Sequence, residues 1–314
     1  MNENLKEEHP IDAVVLWVDG SDEKHLLKIL PYLENKNNIQ TKKFRNRFIQ
    51  VNEIRYTIDS LLKFAPYLRN IFLITDEQIP DFLLKEDNNN KYQKVSIIDH
   101  KVIFNGYEHY LPVFNSRAIE TFMFRIPNLA EHFIYLNDDF FIINKTSPSD
   151  FFKNGLPVLR GDWVNFDEDK LIKKIKKVKL GHKTAQQKGA KLVGFEKYYN
   201  FKHTPHPFRK STFEEYFKKN EDIILNNIKY RFRNNEQFLI QSLINHIEIK
   251  NKTCVLNNNL QLIYFRTFKK PLLWYKIKLN LQFNKKLFLA LQSLYLAPQP
   301  ILNYILYWLD KRVK

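Results

Sequence analysis

Glycine and cysteine are scarce in this sequence, and its longest apolar stretch is interrupted. Seven glycines among 314 residues leave no Gly-rich phosphate loop of the Walker or dinucleotide-binding type, so side chains must hold any bound phosphate. The single cysteine, Cys254, excludes an internal disulfide and a Cys-based zinc cluster, which indicates a reducing compartment. Residues 287–309 are largely apolar, but Gln292, Pro298 and Asn303 interrupt them, so the stretch falls short of a membrane span. The charged first ten residues have no apolar core, and we expect no secretory signal there.

The sequence carries a large excess of positive charge, +16 at pH 7. Such an excess favours anionic partners, namely nucleic acid, anionic lipid or phosphorylated substrates. One basic cluster spans Lys170–Lys179, and a second runs from Phe268 to the C-terminus, where lysines alternate with Trp, Leu and Tyr. We find no nucleic-acid recognition motif and expect no nucleic-acid partner. The second cluster favours a basic amphipathic helical tail on an anionic membrane surface, and the alternative is packing on the domain or on a second subunit.

Short apolar runs alternate with amphipathic helical patterns along the chain. The predicted strands are Ile11–Val18, Ile71–Thr75, Val95–Ile98 and Phe133–Leu136. The predicted helices are Glu53–Leu68, Asn115–Ile126, Ser211–Lys219 with a capping box at Ser211, and Glu236–Ile249. This alternation predicts an α/β fold with a mostly parallel, Rossmann-like sheet and helical additions. We expect a catalytic domain over residues 1–265 and a basic aromatic tail over residues 266–314.

Acidic residues follow each of the predicted strands, and two of them are adjacent. They are Asp19, Asp76, Asp99, Asp138 and Asp139. Ligands of parallel sheets bind at the carboxyl ends of the strands. Burial of an ionised carboxylate is costly unless it is paired or bound to a metal, and Mg²⁺ or Mn²⁺ prefers such oxygen ligands together with substrate phosphates. Asp138 and Asp139 therefore predict a divalent-cation site, and the alternative is a strand-end turn with two solvated aspartates.

Two basic clusters are candidates for phosphate binding. The first cluster lies in the loop before the first long predicted helix and in the first turn of that helix. It contains Arg45, Arg47 and Arg55, with Glu53 among them. Arg231 and Arg233 precede a later predicted helix. Arginine fits phosphate through bidentate hydrogen bonds and can stabilise charge on a transferring phosphoryl group. The alternatives are a solvated basic loop for the first cluster and helix N-terminal polarity for the second.

His203 and His206 lie in a short segment stiffened by Pro205 and Pro207. Histidine is the usual general base near neutral pH, so one of the two is a candidate base. A surface loop or a weak metal clip is the alternative.

Four blocks in order resemble the Stealth family of bacterial capsular and exopolysaccharide phosphotransferases, which is related to the animal GlcNAc-1-phosphotransferase. IDAVVLWVDGSD at residues 11–22 is similar to its first conserved block. Residues 44–83, VSIIDHKVIF at residues 95–104, and residues 111–142 are similar to its second block. Residues 182–217, which contain HTPHPF, resemble the third block, and RFRNNEQFLIQSLINH at residues 231–246 resembles a weaker fourth.

The resemblance implies a glycosyltransferase-A-like core and transfer of a hexose 1-phosphate from a nucleotide sugar, typically a UDP-sugar, to a glycan hydroxyl. UMP leaves and a phosphodiester forms. It implies Mg²⁺ or Mn²⁺ on Asp138 and Asp139 with Asp19 nearby, and His206, or else His203, as the base. Arg233, with Arg45, Arg47 or Arg55, would stabilise the phosphoryl oxygens. The further expected substrate-binding residues are Asp19, Gly20, Glu53, Asn115, Asn137 and Arg231.

Two positions depart from the family pattern, since Asp59 stands where relatives often carry a basic residue and Glu236 stands in place of an aspartate. The alternatives to sugar-phosphate transfer are a metal-dependent glycosyltransferase that releases UDP and a non-catalytic assembly protein at the membrane. We expect action in the bacterial cytoplasm, peripheral at the inner face of the membrane, with an oligomer possible. The sequence names neither the sugar donated nor the hydroxyl that accepts it.

Overall fold

The structure is a computed structural model, and it describes residues 9–33, 51–84, 90–166 and 181–314. The candidate phosphate ligands Arg45 and Arg47 and the basic cluster Lys170–Lys179 lie outside the described residues.

The strands are short and largely buried. In chain order they are β1 Ile11–Leu16, β2 Ile71–Thr75, β3 Val95–Asp99, β4 His132–Asn137, β5 Phe140–Ile142, β6 Phe152–Lys153, β7 Leu156–Arg160, β8 Asp162–Asn165, β9 Lys197–Asn200, β10 His206–Arg209, β11 Val255–Asn257, β12 Leu262–Phe265 and β13 Phe288–Leu291.

The helices of the described residues are mostly two to four turns long. They are α1 Glu23–Ile29, α2 Glu53–Phe64, α3 Asp81–Leu84, α4 His100–Ile103, α5 Ser116–Phe122, α6 His182–Leu192, α7 Lys210–Lys219, α8 Glu221–Ile228, α9 Ile240–Asn251, α10 Leu272–Gln282 and α11 Gln299–Val313. No helix in the described part of the chain is long and apolar enough to cross a membrane.

The central sheet has the strand order β10-β4-β1-β2-β3. Strands β4, β1, β2 and β3 are parallel, and β10 joins β4 in the antiparallel sense. The prediction of a mostly parallel α/β sheet is confirmed. Since β1 has β2 on one side and β4 on the other, the chain reverses its direction of winding between β1 and β4. A crevice opens at the carboxyl ends of strands at such a point, and this is where ligands bind in sheets of this kind.

Both faces of the sheet are covered, which explains why its strands read as continuous apolar runs rather than alternating ones. On one face Ile58 and Leu61 of α2 pack with Val15 and Leu73 of the strands. On the other face Val14 and Tyr135 pack with residues of α5, α7 and α9, Phe122, Phe213 and Leu243 among them.

Two predicted helix starts are wrong, and tertiary contacts explain both. Helix α7 begins at Lys210 rather than through a capping box at Ser211, because Glu131 accepts hydrogen bonds from the Ser211 hydroxyl (2.6 Å) and amide (3.1 Å). Helix α9 begins at Ile240 rather than at Glu236. The preceding turn is held by the Gln237 side chain, which accepts from the Asn234 amide and donates to the Asn227 carbonyl.

The segment 266–314, predicted to be a helical tail, contains strand β13 as well as helices α10 and α11. Strand β13 pairs in parallel with β12 and antiparallel with β5, the strand that follows Asp139. Both faces of this strand are buried. Phe288 and Ala290 pack in one core cluster, and Leu289 and Leu291 pack in another. The sequence analysis did not anticipate it, because four apolar residues beside a helical pattern read as part of a helix.

Candidate active site

Asp138 and Asp139 form the turn between β4 and β5, at the point where the sheet reverses its winding. The Thr57 hydroxyl of α2 donates to the Asp138 carbonyl at 2.6 Å. From the other side, the Leu291 amide of β13 donates to the Asp139 carbonyl at 3.1 Å. The backbone of the turn is therefore fixed by two elements distant in sequence, and both carboxylates project from a rigid support.

A third carboxylate, Glu53, shares this environment. It occupies the first turn of α2, one turn before Thr57. Burial raises its pKa well above the usual value, and the charges of Asp138 and Asp139 add to the rise. Burial likewise raises the pKa of Asp138 and of Asp139, and the charge of Asp138 adds to the rise at Asp139. The ionised forms of these three acids are therefore disfavoured by burial and, at Glu53 and Asp139, by neighbouring negative charge. A bound cation would stabilise the ionised forms.

The donor atoms of this group fit a divalent cation shared with phosphates. Glu53 Oε1 and Asp139 Oδ1 are buried and accept no hydrogen bond from the described residues. Within those residues, no three His, Cys, Asp or Glu side chains converge so as to hold a metal ion by themselves. Mg²⁺ commonly rests on one or two carboxylates and completes its shell with water and substrate phosphates, so an incomplete protein shell suits it. Asp138 and Asp139, with Glu53 beside them, are the residues that would hold it.

A cavity of about 90 Å³ adjoins the carboxylate turn. Asn137 and Phe140, the residues on either side of the two aspartates, line it. Its other polar lining residues come from five elements or their flanking loops and are Ser116, Arg117, Glu120, Tyr135, His182, Gln186, Lys202, His203, Thr204, His206, Arg233, Gln241 and Ser242.

Three histidines meet on one side of this cavity. His206 opens β10 opposite Tyr135 of β4, which brings it next to the strand that carries the aspartates. Burial, with the neighbouring His182 and His203, lowers the pKa of His206 to about 3. Burial also lowers the pKa of His203, whose ring lies 5.7 Å from Phe140 and 5.5 Å from His182. These histidines are neutral at pH 7 and can accept a proton.

Two arginines also line the cavity, and after burial and His203 their charges contribute to lowering the pKa of His182. The buried Arg117 donates to the Asn234 carbonyl at 2.9 Å, and the exposed Arg233 donates to the Ser116 hydroxyl at 3.2 Å. Burial and then the charge of Arg233 lower the pKa of Arg117 to about 10, with Glu120 opposing the shift. The Arg117 guanidinium therefore remains charged at neutral pH. Repulsion between the two arginines favours an anion between or beside them.

Asn137 is held by a polar chain. The Tyr135 hydroxyl lies 2.8 Å from Glu120 Oε1 and 2.6 Å from Asn137 Oδ1. Glu120 Oε2 is buried and has no hydrogen-bond partner among the described residues. The chain orients the Asn137 amide at the end of β4, beside the carboxylate turn.

Two of the predicted substrate-binding residues follow β1. Asp19 accepts from the Ser21 hydroxyl at 2.6 Å, and its amide donates to Gln78 at 2.9 Å. Gly20 is buried in the same turn. The carboxylate of Asp19 thus fixes its own loop at the carboxyl end of β1.

Other predicted residues have structural contacts. Arg55 approaches Asp59 at 3.7 Å, and Asp59 also accepts from Tyr92 at 2.9 Å and Lys91 at 2.7 Å, so Asp59 has a structural role. Asn115 caps α5 and donates to the Tyr230 carbonyl at 2.5 Å.

Arg231 stacks on the Tyr32 ring with its guanidinium carbon 4.7 Å from the ring centroid. The remaining strand-end acids are also engaged: Asp76 pairs with His25 at 3.2 Å and Lys28 at 3.1 Å, and Asp99 caps α4.

Sequence reasoning missed Arg117, His182, Tyr264 and Arg266. Arg117 and His182 lie within the blocks that carry the family resemblance, and this placement was their only sequence signal. The Tyr264 ring lies 5.0 Å from the His203 ring. Burial raises the pKa of Tyr264, and the charge of Asp139 adds to this rise. The charge of Arg266 contributes to lowering the pKa of His203, so the end of β12 also faces the site.

The chain is thus an α/β protein whose candidate site, the carboxylate turn and the histidine–arginine cavity, lies at the carboxyl ends of the strands of a mostly parallel sheet. The family models for conserved region 2 and conserved region 1 of Stealth proteins match residues 47–159 and 9–37. The chain belongs to the Stealth family.

Named relatives agree with this family. The chain is 45% identical to the exopolysaccharide phosphotransferase cps2G of Lactiplantibacillus plantarum, over 47% of this chain and 41% of that protein. It is 33% identical to the capsular polysaccharide phosphotransferase cps1A of Actinobacillus pleuropneumoniae, over 75% of this chain and 64% of that one. It is 36% identical to fcs1 of Haemophilus influenzae, a capsular polysaccharide phosphotransferase, over 71% and 61% of the two chains. The matched region thus spans between two fifths and two thirds of the length of these relatives.

Among solved structures, the chain is similar to the galactosyltransferase LgtC in complex with donor and acceptor sugar analogues. The TM-score is 0.48 at 11% identity, over 96% of this chain and 95% of that one. It is also similar to the bifunctional glycosyltransferase WbbM, with a TM-score of 0.46 at 12% identity, over 92% and 46% of the two chains.

Proposed function

We propose that this chain is a sugar-1-phosphate transferase of capsule or exopolysaccharide synthesis. It transfers a sugar 1-phosphate from a nucleotide sugar, a UDP-hexose or a UDP-N-acetylhexosamine, to a hydroxyl of a glycan acceptor. The names of its relatives support this activity. The observation that carries the proposal is that buried, partly unsatisfied carboxylates lie beside a cavity lined by two arginines and three histidines. A cation would neutralise the carboxylates, and the phosphates of a donor would pair with the two guanidinium groups.

The reaction is a displacement at the β-phosphorus of the donor. The acceptor oxygen forms a new bond to this phosphorus, and the bond from phosphorus to the oxygen that bridges the two phosphates breaks. The electron pair of the broken bond leaves with UMP, and the proton of the acceptor hydroxyl passes to a histidine. Attack at phosphorus keeps the bond between the sugar and its phosphate intact, so a phosphodiester results.

Asp138 and Asp139, with Glu53 nearby, would hold Mg²⁺ or Mn²⁺, which would supply charge neutralisation for the donor diphosphate. Arg117 and Arg233 hold phosphoryl oxygens through charge-assisted hydrogen bonds. Asn137, oriented by Tyr135 and Glu120, positions a ligand at the end of β4.

A neutral histidine serves as the base, and His203 is the better placed of the two predicted ones. Its ring lies 5.7 Å from Phe140, the residue that follows the carboxylates. His206 packs between Phe201 and Phe208, and a pKa of about 3 makes it a weak base in this aromatic environment. We assign His206 to positioning and retain it as the alternative base.

We also propose that the protein lies at the inner face of the bacterial cytoplasmic membrane through helix α10. Leu273, Trp274, Ile277 and Leu281 are 64%, 39%, 48% and 67% exposed. At about 100° per residue these four side chains fall within an arc of about 100° on one face of the helix. Lysines flank that face, and Tyr275 and Leu279 are buried on the other side. An exposed apolar face between lysines suits an anionic bilayer surface. Sedimentation with vesicles of anionic lipid, lost in Leu273→Ser/Leu281→Ser, tests this part.

The decisive experiment identifies the nucleotide released from UDP-GlcNAc and a panel of other UDP-sugars, with Mg²⁺ and a short glycan acceptor. UMP that depends on the acceptor and is lost in Asp138→Ala supports the proposal. Release of UDP would show transfer of the glycosyl group alone and would replace sugar-phosphate transfer. Silence across the whole panel, with the variant and the wild type equally folded, would favour a non-catalytic assembly role.

A further inference from the structure

Strand β12 ends close to the carboxylate turn, although it comes from the C-terminal part of the chain. It belongs to a small sheet with the order β12-β13-β5, and β5 directly follows the turn. Phe265, the last residue of β12, is in register with Leu291, whose amide donates to the Asp139 carbonyl. Two strand spacings of about 4.8 Å thus separate the end of β12 from the turn. The next residue, Arg266, is exposed and lies one position beyond this register.

The backbone is held in place on both sides of Arg266. On one side, the Gln292 amide donates to the carbonyl of the last β12 residue at 3.0 Å, and its side chain accepts from the Tyr264 hydroxyl. On the other side, the hydroxyl of the buried Tyr275 donates to the Thr267 carbonyl at 3.0 Å. Because the backbone is already fixed, only the Arg266 side chain has to be ordered when it binds a ligand.

Arg266 lies on the side of β12 that faces the candidate active site. The Tyr264 ring, two residues earlier, lies 5.0 Å from the His203 ring, and residues two apart along a strand share a face. Burial lowers the pKa of His203, and the charge of Arg266 adds to this fall. The two arginines of the cavity influence His182 instead, whose ring lies 5.5 Å from that of His203. Positive charge is therefore present near both histidine rings.

The charge of Arg266 is available to an anion. In the described part of the chain, no carboxylate forms an ion pair with its guanidinium. The groups that its charge influences are the imidazole of His203 and the phenol of Tyr264, which are not anionic partners. A guanidinium group binds phosphate through two parallel hydrogen bonds, so a phosphate beside the carboxylate turn is the ligand that suits it.

We propose that Arg266 is a further substrate-binding residue, whose guanidinium pairs with the diphosphate of the nucleotide-sugar donor. This inference rests on the proposed function. The diphosphate would lie at the turn, where Asp138 and Asp139 would hold the cation that accompanies it, and Arg266 would reach it from the end of β12. When the bond between the β-phosphorus and the bridging oxygen breaks, negative charge grows on the leaving UMP, and a guanidinium group at that phosphate stabilises it. The boundary predicted between residues 265 and 266 would then fall inside the donor site.

Binding of UDP tests this residue directly, by isothermal titration calorimetry on the full chain with Mn²⁺ present. We expect Arg266→Gln to weaken UDP binding about tenfold, the loss expected when one charged hydrogen-bond partner of a phosphate is removed. Arg266→Lys keeps the charge without the paired hydrogen bonds and should recover part of the affinity. Lys269→Gln removes another exposed charge of the same loop, so it is the matched control and should bind UDP as the wild type does.

The dependence of binding on salt separates a phosphate contact from a structural role. Loss of a charge that contacts phosphate should make the Kd for UDP less sensitive to salt, whereas a local distortion would leave this sensitivity unchanged. The inference is overturned if Arg266→Gln binds UDP as tightly as the wild type or keeps the same salt dependence. It is also overturned if Lys269→Gln loses as much affinity, since the effect would then be one of general positive charge.

The inference and the proposed function can fail separately. If the wild type releases UMP and Arg266→Gln binds UDP normally, the proposed function stands and the role of Arg266 is refuted. If UDP binding depends on Arg266 but no UMP is released, the donor site stands and sugar-phosphate transfer is refuted. A wild type that does not bind UDP at all would overturn the role of Arg266 together with the UDP-sugar donor.

Discussion

The three acids around the carboxylate turn should destabilise the fold at high pH when no cation is bound. The pKa values of Glu53, Asp138 and Asp139 are raised in the folded protein. For an acid with a raised pKa, the stabilising contribution is complete below the unfolded pKa of about 4 and is lost as pH rises through the folded pKa. Replacement of one of these acids by its amide removes part of this loss, so Asp139→Asn should be more stable than the wild type at pH 8.

The size of the effect follows from the burial of the group. Each unit by which a pKa is raised costs about 1.4 kcal/mol once the pH lies above it. A net cost of about 1–3 kcal/mol for ionising the buried Asp139 beside Asp138 corresponds, for a chain of this size, to about 2–6 °C in Tm. At pH 5 the two proteins should differ much less, because the acids are then largely protonated in the fold.

Differential scanning calorimetry of both proteins at pH 5 and pH 8, with EDTA and then with Mn²⁺, measures this. The difference between variant and wild type is the relevant quantity, because His206 and the other histidines with lowered pKa values contribute to both proteins alike. Mn²⁺ at pH 8 should raise the Tm of the wild type and have little effect on Asp139→Asn. The reasoning would be refuted if Asp139→Asn were less stable than the wild type at pH 8. It would also be refuted if the difference in Tm between the two proteins were the same at pH 5 and pH 8.

Four further substitutions separate chemistry from stability. His203→Gln should lower kcat for UMP release about 100-fold, with a smaller loss in His206→Gln, and an equal or reversed order would move the base to His206. Arg233→Gln should lower kcat about 100-fold with the Tm within about 1 °C, since its side chain is exposed; an unchanged kcat would remove it from the site. Gly189→Ala should lower the Tm, because an added Cβ would lie 2.8 Å from the Leu243 amide nitrogen and cost about 1–3 kcal/mol; thermal unfolding at the wild-type temperature would contradict this packing.

The sheet and the carboxylate turn could be predicted because their signals are local. The apolar runs of β1, β2 and β4 are continuous since both faces of each strand are covered, and each run ends in polar residues where the strand leaves the core. The turn at Asp138 and Asp139 interrupts such a run between two buried aromatic segments. At this turn the hydrophobic pattern, the burial of the flanking strands and the paired charges all indicate the same structure. Such consistency makes a prediction from sequence reliable.

The cavity could be predicted only in part, because its walls come from segments far apart in the chain. Arg117 reads as an ordinary residue of an amphipathic helix, and only its contact with the Asn234 carbonyl, 117 positions away, brings it beside Arg233. Similarly, Asp76 follows a parallel strand, as Asp138 does, yet it pairs with His25 and Lys28. Burial alone would raise the pKa of Asp76, but these partners lower it to about 2. Position at a strand end therefore predicts where an acid lies, and the side chains brought there by other segments decide its role.

The C-terminal segment illustrates the same limit and links the periphery to the site. Its helices could be predicted from their spacing, and nothing local distinguishes Phe288–Leu291 as a strand. Because the Leu291 amide donates to the Asp139 carbonyl, β13 fixes the backbone of a proposed metal ligand. Strand β12, its parallel neighbour, presents Tyr264 to His203. Helix α10, whose opposite face is proposed to meet the membrane, packs Tyr275 and Leu279 into the core cluster that contains Leu289 and Leu291. A continuous packed layer thus runs from the exposed apolar face to the carboxylate turn, so attachment to a bilayer would set the orientation of the site relative to the membrane.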